Sequence, residues 1–296
     1  MTWFPRLALR SVAVIALIGF PLSTVFVQAR AAAAPSAQAA VSAPLGQRAM
    51  EIVRALADGI GSRPAGSAAE RTAASFLQEQ FEGMGYAVDV VPFGFSIVSG
   101  TGRSQNVIAY DPNEDPDLPL VVIGGHYDTV PAGPGANDNG SGTATTVEIA
   151  RQLATFPEPG VAVRFVAFGA EEIGLLGSKE FVSRLSRADR VRLKVAMSID
   201  MMAVGAQPAF GGSDPWVSEA LARAASQGWQ PEELSTYLRR MSDHASFLDA
   251  GLPAIMFHWV DDPYYHTALD ISTNVQPYSM DLMGAIAIGL VRVAAQ

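Results

Sequence analysis

The chain contains no cysteine, which excludes a disulfide framework and any thiolate metal site, so a bound metal must rely on imidazole and carboxylate. Histidine is scarce too, with four in 296 residues. Positive charge is in deficit: Lys and Arg total 20 against 29 Asp and Glu, a formal charge of −9. That balance argues against nucleic acid and anionic membrane surfaces as partners, since both need a basic footprint. Charged residues make up only 17% and hydrophobic ones 49%, enough apolar material for a sizeable core and unlike a disordered chain. No internal repeat and no second domain is visible.

Residues 1–30 set Arg6 and Arg10 before the uncharged run Ser11 to Val27 and close on small residues. This is the plan of an export signal or, alternatively, of a single N-terminal anchor, and either one places the bulk of the chain outside the cytoplasm. Residues 31–45 are rich in Ala, Pro, Ser and Gln and read as a linker. The folded part is expected over 46–296. Apolar spacing predicts helices over Gln47 to Ala57 and Ser67 to Met84, followed by strands Ala87 to Val91, Asn106 to Tyr110 and Leu118 to Gly125. Ser141 is expected to cap a helix. Beyond it come strand Val161 to Phe168, helix Ser178 to Leu185, strand Val195 to Ile199, helix Pro215 to Ser226, helix Asp243 to Ala250, strand Ala254 to Phe257 and helix Tyr278 to Val293. Such alternation implies an α/β fold, a three-layer α/β/α sandwich around a mixed, mostly parallel sheet. The short turns between early strands make part of that sheet antiparallel.

The chemistry gathers at strand ends. VVIGGHYDTVPAGPGANDNGSG runs an apolar strand into His126 and Asp128, then folds a glycine-rich loop back to Asp138. Asp128, two residues from His126, is placed to accept the imidazole N–H that does not face a metal. FGAEEIG supplies Glu171 and Glu172, MSID supplies Asp200, and YYHT supplies His266. His126, Asp138, Glu172, Asp200 and His266 compose two His/carboxylate half-sites around one shared carboxylate, a set suited to two divalent ions. Adjacent carboxylates point in different directions, so one of Glu171 and Glu172 can bind metal while the other addresses water. Asp243, in SDHASF, and His244 beside it suit helix capping and outer hydrogen bonding. His258 reads as pocket wall or core. Asp270 either orients His266 or sits on the surface, and Tyr237, Tyr264 and Tyr265 read as wall residues.

Together GGHYDTV, GANDNGSG, FGAEEIGLLGS, SIDMM, SDHASF and YHT resemble the motif series of the co-catalytic di-zinc aminopeptidases. That metallopeptidase family also includes bacterial leucyl aminopeptidase, glutamate carboxypeptidases and glutaminyl cyclases, and the likeness covers residues 46–296. It implies one zinc on His126 and Asp200, a second on Glu172 and His266, Asp138 bridging both, Glu171 as general base toward a water between the metals, and Asp128 orienting His126. A cis peptide is implied at Asp138–Asn139. The implied function is an exported aminopeptidase acting on peptides with a free N-terminus. Glutaminyl cyclase chemistry on the same scaffold is one alternative, disfavoured by the five-ligand set and the small Asn139-Gly-Ser-Gly segment; a non-catalytic binding ectodomain is another, disfavoured because neither a ligand nor Glu171 is lost. The exopeptidases with an inserted lid domain are set aside because only 66 positions separate Asp200 from His266.

Overall fold

The computed structural model describes residues 43–98, 100–235 and 241–296. The expected export segment, most of the linker and Tyr237 lie outside these residues. The first helix, α1, covers Leu45–Arg54 and widens into a further turn over Ala55–Ile60. It starts within the expected linker, because Leu45 is buried in the main core. Helix α2 (Ala68–Glu82) is opened by a reciprocal cap: Ser67 Oγ accepts the Glu70 N–H at 3.0 Å, and the Glu70 carboxylate reaches back to the Gly66 N–H at 2.6 Å.

Strands β1 (Ala87–Ile97) and β2 (Gly100–Tyr110) form a long antiparallel hairpin. Next come β3 (Leu120–His126), α3 (Gly142–Thr155), β4 (Ala162–Phe168), α4 (Leu176–Arg184), α5 (Arg187–Arg192) and β5 (Leu193–Ile199). The chain finishes with β6 (Gln207–Gly212), α6 (Trp216–Ser226), the two-residue β7 (Glu232–Glu233), α7 (His244–Asp249), β8 (Ala254–Val260) and α8 (Pro277–Ala294). The sheet order is β1-β2-β4-β3-β5-β8-β6-β7. Its central block, β4-β3-β5-β8, is parallel throughout, whereas β1-β2, β2-β4 and β6-β8 are antiparallel.

All seven residues of β3 are buried, as expected for a strand covered on both faces. Its side chains alternate between two cores: Val121 and Ile123 join the one built with α1, α2, α3, α6 and α8, and Leu120 and Val122 join the one built with Phe181 of α4 and Phe247 of α7. Helices therefore cover both faces of a mixed sheet. Strand β6 was not anticipated, because Pro208, Gly211 and Gly212 break the apolar alternation. Helix α5 was also missed, and it has no buried residue to announce it.

Ser141 does not cap α3 as expected. Its backbone is already helical (φ −66°, ψ −47°), so its hydroxyl turns back and donates to the Asn137 carbonyl at 2.8 Å. Asn139 does the capping instead, its Oδ1 accepting the Gly142 N–H at 2.9 Å. Gly142 lets α3 press against the end of β5: a Cβ there would lie 2.0 Å from the Ile199 carbonyl oxygen and 2.4 Å from Asn139 Oδ1. Both obstacles are fixed. Gly142→Ala should lower stability by roughly 1–3 kcal/mol through overpacking; urea denaturation checks this, and an unchanged midpoint would show that the contact is relieved elsewhere.

Candidate functional site

The carboxyl ends of the four parallel strands converge on one place. His126 ends β3, Glu171 and Glu172 follow β4, Asp200 follows β5, and His266 lies in the loop after β8. Asp138 comes in from the turn between β3 and α3, where the Asp138–Asn139 peptide is cis. Among the described residues, four of the five non-glycine residues with left-handed backbone adjoin or carry these groups or line the cavity beside them: Ala170, Met201, Asp261 and His266. Each costs roughly 1–2 kcal/mol relative to ordinary backbone, and such residues concentrate where function dictates geometry.

Two clusters result. His126 Nε2 lies 3.2 Å from Asp138 Oδ1 and 3.5 Å from Asp200 Oδ1, while His266 Nε2 lies 3.2 Å from Asp138 Oδ2 and 3.0 Å from Glu172 Oε2. Asp138 thus turns one oxygen to each histidine. Within each cluster the three ligand-capable atoms are within 4.8 Å of one another. Asp138 Oδ2 and Asp200 Oδ1 are buried without a hydrogen bond among the described residues, a state that usually costs 1–3 kcal/mol or more and that a cation relieves. Glu171 belongs to neither cluster; its Oε2 is 3.9 Å from His126 Nε2.

The electrostatics say the same. Burial, followed by the charge of Asp138, pushes Glu172 up to about 8, and burial holds Glu171 well above the ordinary carboxylate value. For His126 burial acts downward, but Glu171, Asp200 and contacts with Asp128 and Asp138 outweigh it, so the imidazole is held well above 6.5. Asp138 is depressed, the desolvation being overcome by the imidazoles of His126 and His266 that face its two oxygens. Without a cation the cluster must hold protons to coexist. Imidazole and carboxylate in these proportions fit divalent zinc, and His126, Asp138 and Asp200 on one side with Asp138, Glu172 and His266 on the other are the residues that would hold it.

The outer contacts differ from expectation. The Asp128 carboxylate is 3.7 Å from His126 Nδ1, too far for a hydrogen bond; the imidazole meets the Asp128 backbone carbonyl at 3.2 Å instead. The carboxylate is taken up by the Glu171 N–H at 2.9 Å and the Glu172 N–H at 3.3 Å, so it anchors the backbone of the acidic pair. Asp270 is buried and likewise does not orient His266: it accepts the Asn137 and Asp138 N–H groups at 2.6 and 3.0 Å. Asp243 makes no capping bond to α7; its carboxylate is buried and pushed up to about 7 by desolvation, and neither oxygen has a hydrogen-bond partner among the described residues. His244 beside it is fully buried.

Arg63 was missed. It is wholly buried, yet among the described residues its guanidinium meets backbone carbonyls alone, those of Leu56, Gly61, Tyr127, Pro134 and Gly135. It ties the segments on both sides of Asp128 to the start of the chain's fold. Only its place between Ser62 and Pro64, in a stretch of small residues, sets it apart in the sequence.

A cavity of about 270 Å³ opens on the cluster, with Met201, Leu234, Met241 and Met256 as apolar wall and His258 and Tyr265 beside the ligands. The Tyr265 ring stacks on His266, centroids 3.8 Å apart, and His258 Nδ1 contacts the Asp200 carbonyl at 3.1 Å. A larger cavity of about 600 Å³ elsewhere holds Glu114, Arg164, Asp189 and Arg192, which pair with one another.

The family model for "Peptidase family M28" matches residues 106–291. Aminopeptidase YwaD of Bacillus subtilis is 34% identical over 65% of this chain, which spans 45% of that relative's length. Leupeptin-inactivating enzyme 1 of Streptomyces exfoliatus is 28% identical over 90% of this chain and 67% of its own. Among solved structures, the zinc aminopeptidase BSAP from Bacillus subtilis superposes with a TM-score of 0.75 at 21% identity, covering 83% of this chain and 95% of that one. Porphyromonas gingivalis glutaminyl cyclase gives 0.71 at 22%, over 84% and 99%.

The anchoring contacts generate a prediction. In Asp270→Asn one of the two backbone N–H groups would face an NH2 rather than an acceptor, loosening the turn that carries Asp138. Removing such outer partners typically weakens metal affinity about 10–100-fold, which competition with a chromogenic zinc chelator measures; unchanged affinity would make the Asp270 contact dispensable.

Proposed function

The chain belongs to peptidase family M28, and from that premise we propose that it is an exported aminopeptidase that holds two zinc ions and removes N-terminal residues from peptides. One observation carries the reading: two His/carboxylate half-sites share Asp138, with a buried carboxylate, Glu171, beside them and outside both. The cavity supports an exopeptidase, being large enough for one apolar side chain against its methionine wall. The export part rests on the residue pattern of positions 1–30 alone.

Zinc in these half-sites would supply Lewis acidity toward the scissile carbonyl and the attacking water. The chain's own residues do the rest. Glu171 takes the proton from that water and returns it to the leaving amine; burial, which raises its proton affinity, suits a carboxylate that must carry a proton between two steps. Asp128 holds the Glu171 and Glu172 backbone, so the base and the ligand next to it keep separate directions. The contact between His126 Nδ1 and the Asp128 carbonyl places the Nδ1 proton there and leaves Nε2 for the metal side.

The adjacent glutamates test this directly. Glu171→Gln is expected to keep its zinc and its melting temperature while turnover on aminoacyl chromogenic substrates falls about 10²–10⁴-fold, the usual worth of general-base catalysis. Glu172→Gln should lose zinc, stability and activity together. If Glu171→Gln loses zinc while Glu172→Gln keeps it, the roles are exchanged. Conversion of glutaminyl peptides to pyroglutamyl products without hydrolysis would replace the peptidase reading by cyclase chemistry, and cleavage of N-acetylated peptides at internal bonds would remove the exopeptidase one.

A further inference from the structure

Glu172 also borders a second groove, of about 310 Å³, which the half-sites do not use. Its walls come from Phe95 of β1, Gly100, Thr101 and Gly102 of β2, and Val130 and Ile173 from the loops after β3 and β4. The Glu172 carboxylate accepts the Val130 N–H at 3.2 Å, so the groove and the cluster share a wall.

The edge of β2 along this groove is open. β2 pairs with β1 along its whole length, from Ala87–Tyr110 to Ile97–Gly100, but with β4 only at Val107, Ile108 and Ala109. β4 ends at Phe168 and the chain turns off into Glu171 and Glu172. Among the described residues no strand takes the place beside Gly100–Gly102 that β4 vacates, and no further backbone hydrogen bond engages these three residues. Alternate residues of an antiparallel strand direct N–H and C=O away from their partner, so at least one of the three presents a donor and an acceptor to the groove. An edge of this kind is a template for another extended chain.

The side chains leave room for one. Gly100 and Gly102 have none, and a Cβ on Gly102 would stand 2.4 Å from the Phe95 ring. That ring is half-buried, lying against Gly102 and Gly66 and lining the groove. The cavity with the methionine wall, which shares Glu172 with this groove, is the one that suits the residue preceding the scissile bond.

We propose that this groove binds the part of a peptide that follows the scissile bond, in extended form, as an added strand on the open edge of β2 at residues 100–102, with Phe95 as its apolar contact. The proposal rests on the aminopeptidase reading for the direction of the chain, and it gives the site a preference for peptides over single-residue amides. Recognition through the backbone makes that preference depend on length more than on sequence.

The test uses zinc-loaded enzyme and a series of peptide amides, Leu-Ala to Leu-Ala-Ala-Ala-Ala. kcat/KM is expected to rise at least tenfold from the shortest to the longest. Phe95→Ala should abolish that rise and leave the Leu-Ala amide within twofold of wild type, which also certifies folding. Single N-methylation of the second or third amide past the scissile bond should, in at least one case, cost fivefold or more. A flat length series, an equal loss on all substrates in Phe95→Ala, or indifference to both N-methylations overturns the proposal. Should no free-amine substrate be hydrolysed, the functional reading fails, and binding decides the groove by itself: a C-terminally fluorescein-labelled pentapeptide, followed by anisotropy on Glu171→Gln, should bind at least tenfold more weakly when Phe95→Ala is added. Equal binding, or none, overturns the groove as well.

Discussion

The constraint on which the structure turns is the packing of like charge. Asp138, Glu171, Glu172 and Asp200 are brought around two imidazoles in a largely buried space, where carboxylates repel one another and desolvation penalises each of them. No thiolate shares the task, since the chain has no cysteine. Side-chain pairing alone does not keep such a group in place. The backbone does it: Asp128 is hydrogen-bonded to the amides of the acidic pair and Asp270 to those leading into Asp138. Two further acids are thereby used to fix the positions of the others.

The scaffold beneath makes that affordable in geometry. Parallel strands β3, β4 and β5 end within a residue of one another, so the segments leaving them begin their turns at nearly one level, while β8 runs on to Val260 along β6. Left-handed residues at Ala170, Met201, Asp261 and His266 redirect the chain at once after or within those turns. Arg63 then gathers carbonyls from the loop on either side, its pKa drawn down to about 10 by burial against the pull of Asp128, Asp270 and Asp138, which leaves it a cation. A buried cation with only neutral partners is costly by itself; set among acids it counters part of their mutual repulsion.

Much of this was legible in the residues. The β-branched run of β3, its break at a glycine pair and the acids or histidines after each apolar segment marked both the parallel block and the side chains that the structure brings together. The motif series indicated the family. What stayed hidden has a common physical character. The sequence points to Asp128 as a partner of His126 and to Asp270 as a partner of His266 or a surface residue, because a side-chain pair leaves a spacing to notice, whereas a carboxylate bound to backbone amides leaves none: every residue has an amide. Arg63 escaped for the same reason, its partners being carbonyls. Ser141 was taken for a cap on residue type, and the conformation that gave the part to Asn139 depends on a turn whose shape is set by tertiary contacts. The open edge of β2 is a matter of where β4 stops, which no local pattern in either strand records.

The central claim is that Asp138 joins two half-sites, and zinc stoichiometry tests it most directly. Chelator-treated protein, titrated with zinc by calorimetry and checked by elemental analysis after dialysis, is expected to take up two equivalents; His126→Ala and His266→Ala should each retain about one, and Asp138→Ala should hold neither tightly. Saturation of the wild type at a single equivalent, or an Asp138→Ala variant that binds two as the wild type does, would contradict the account.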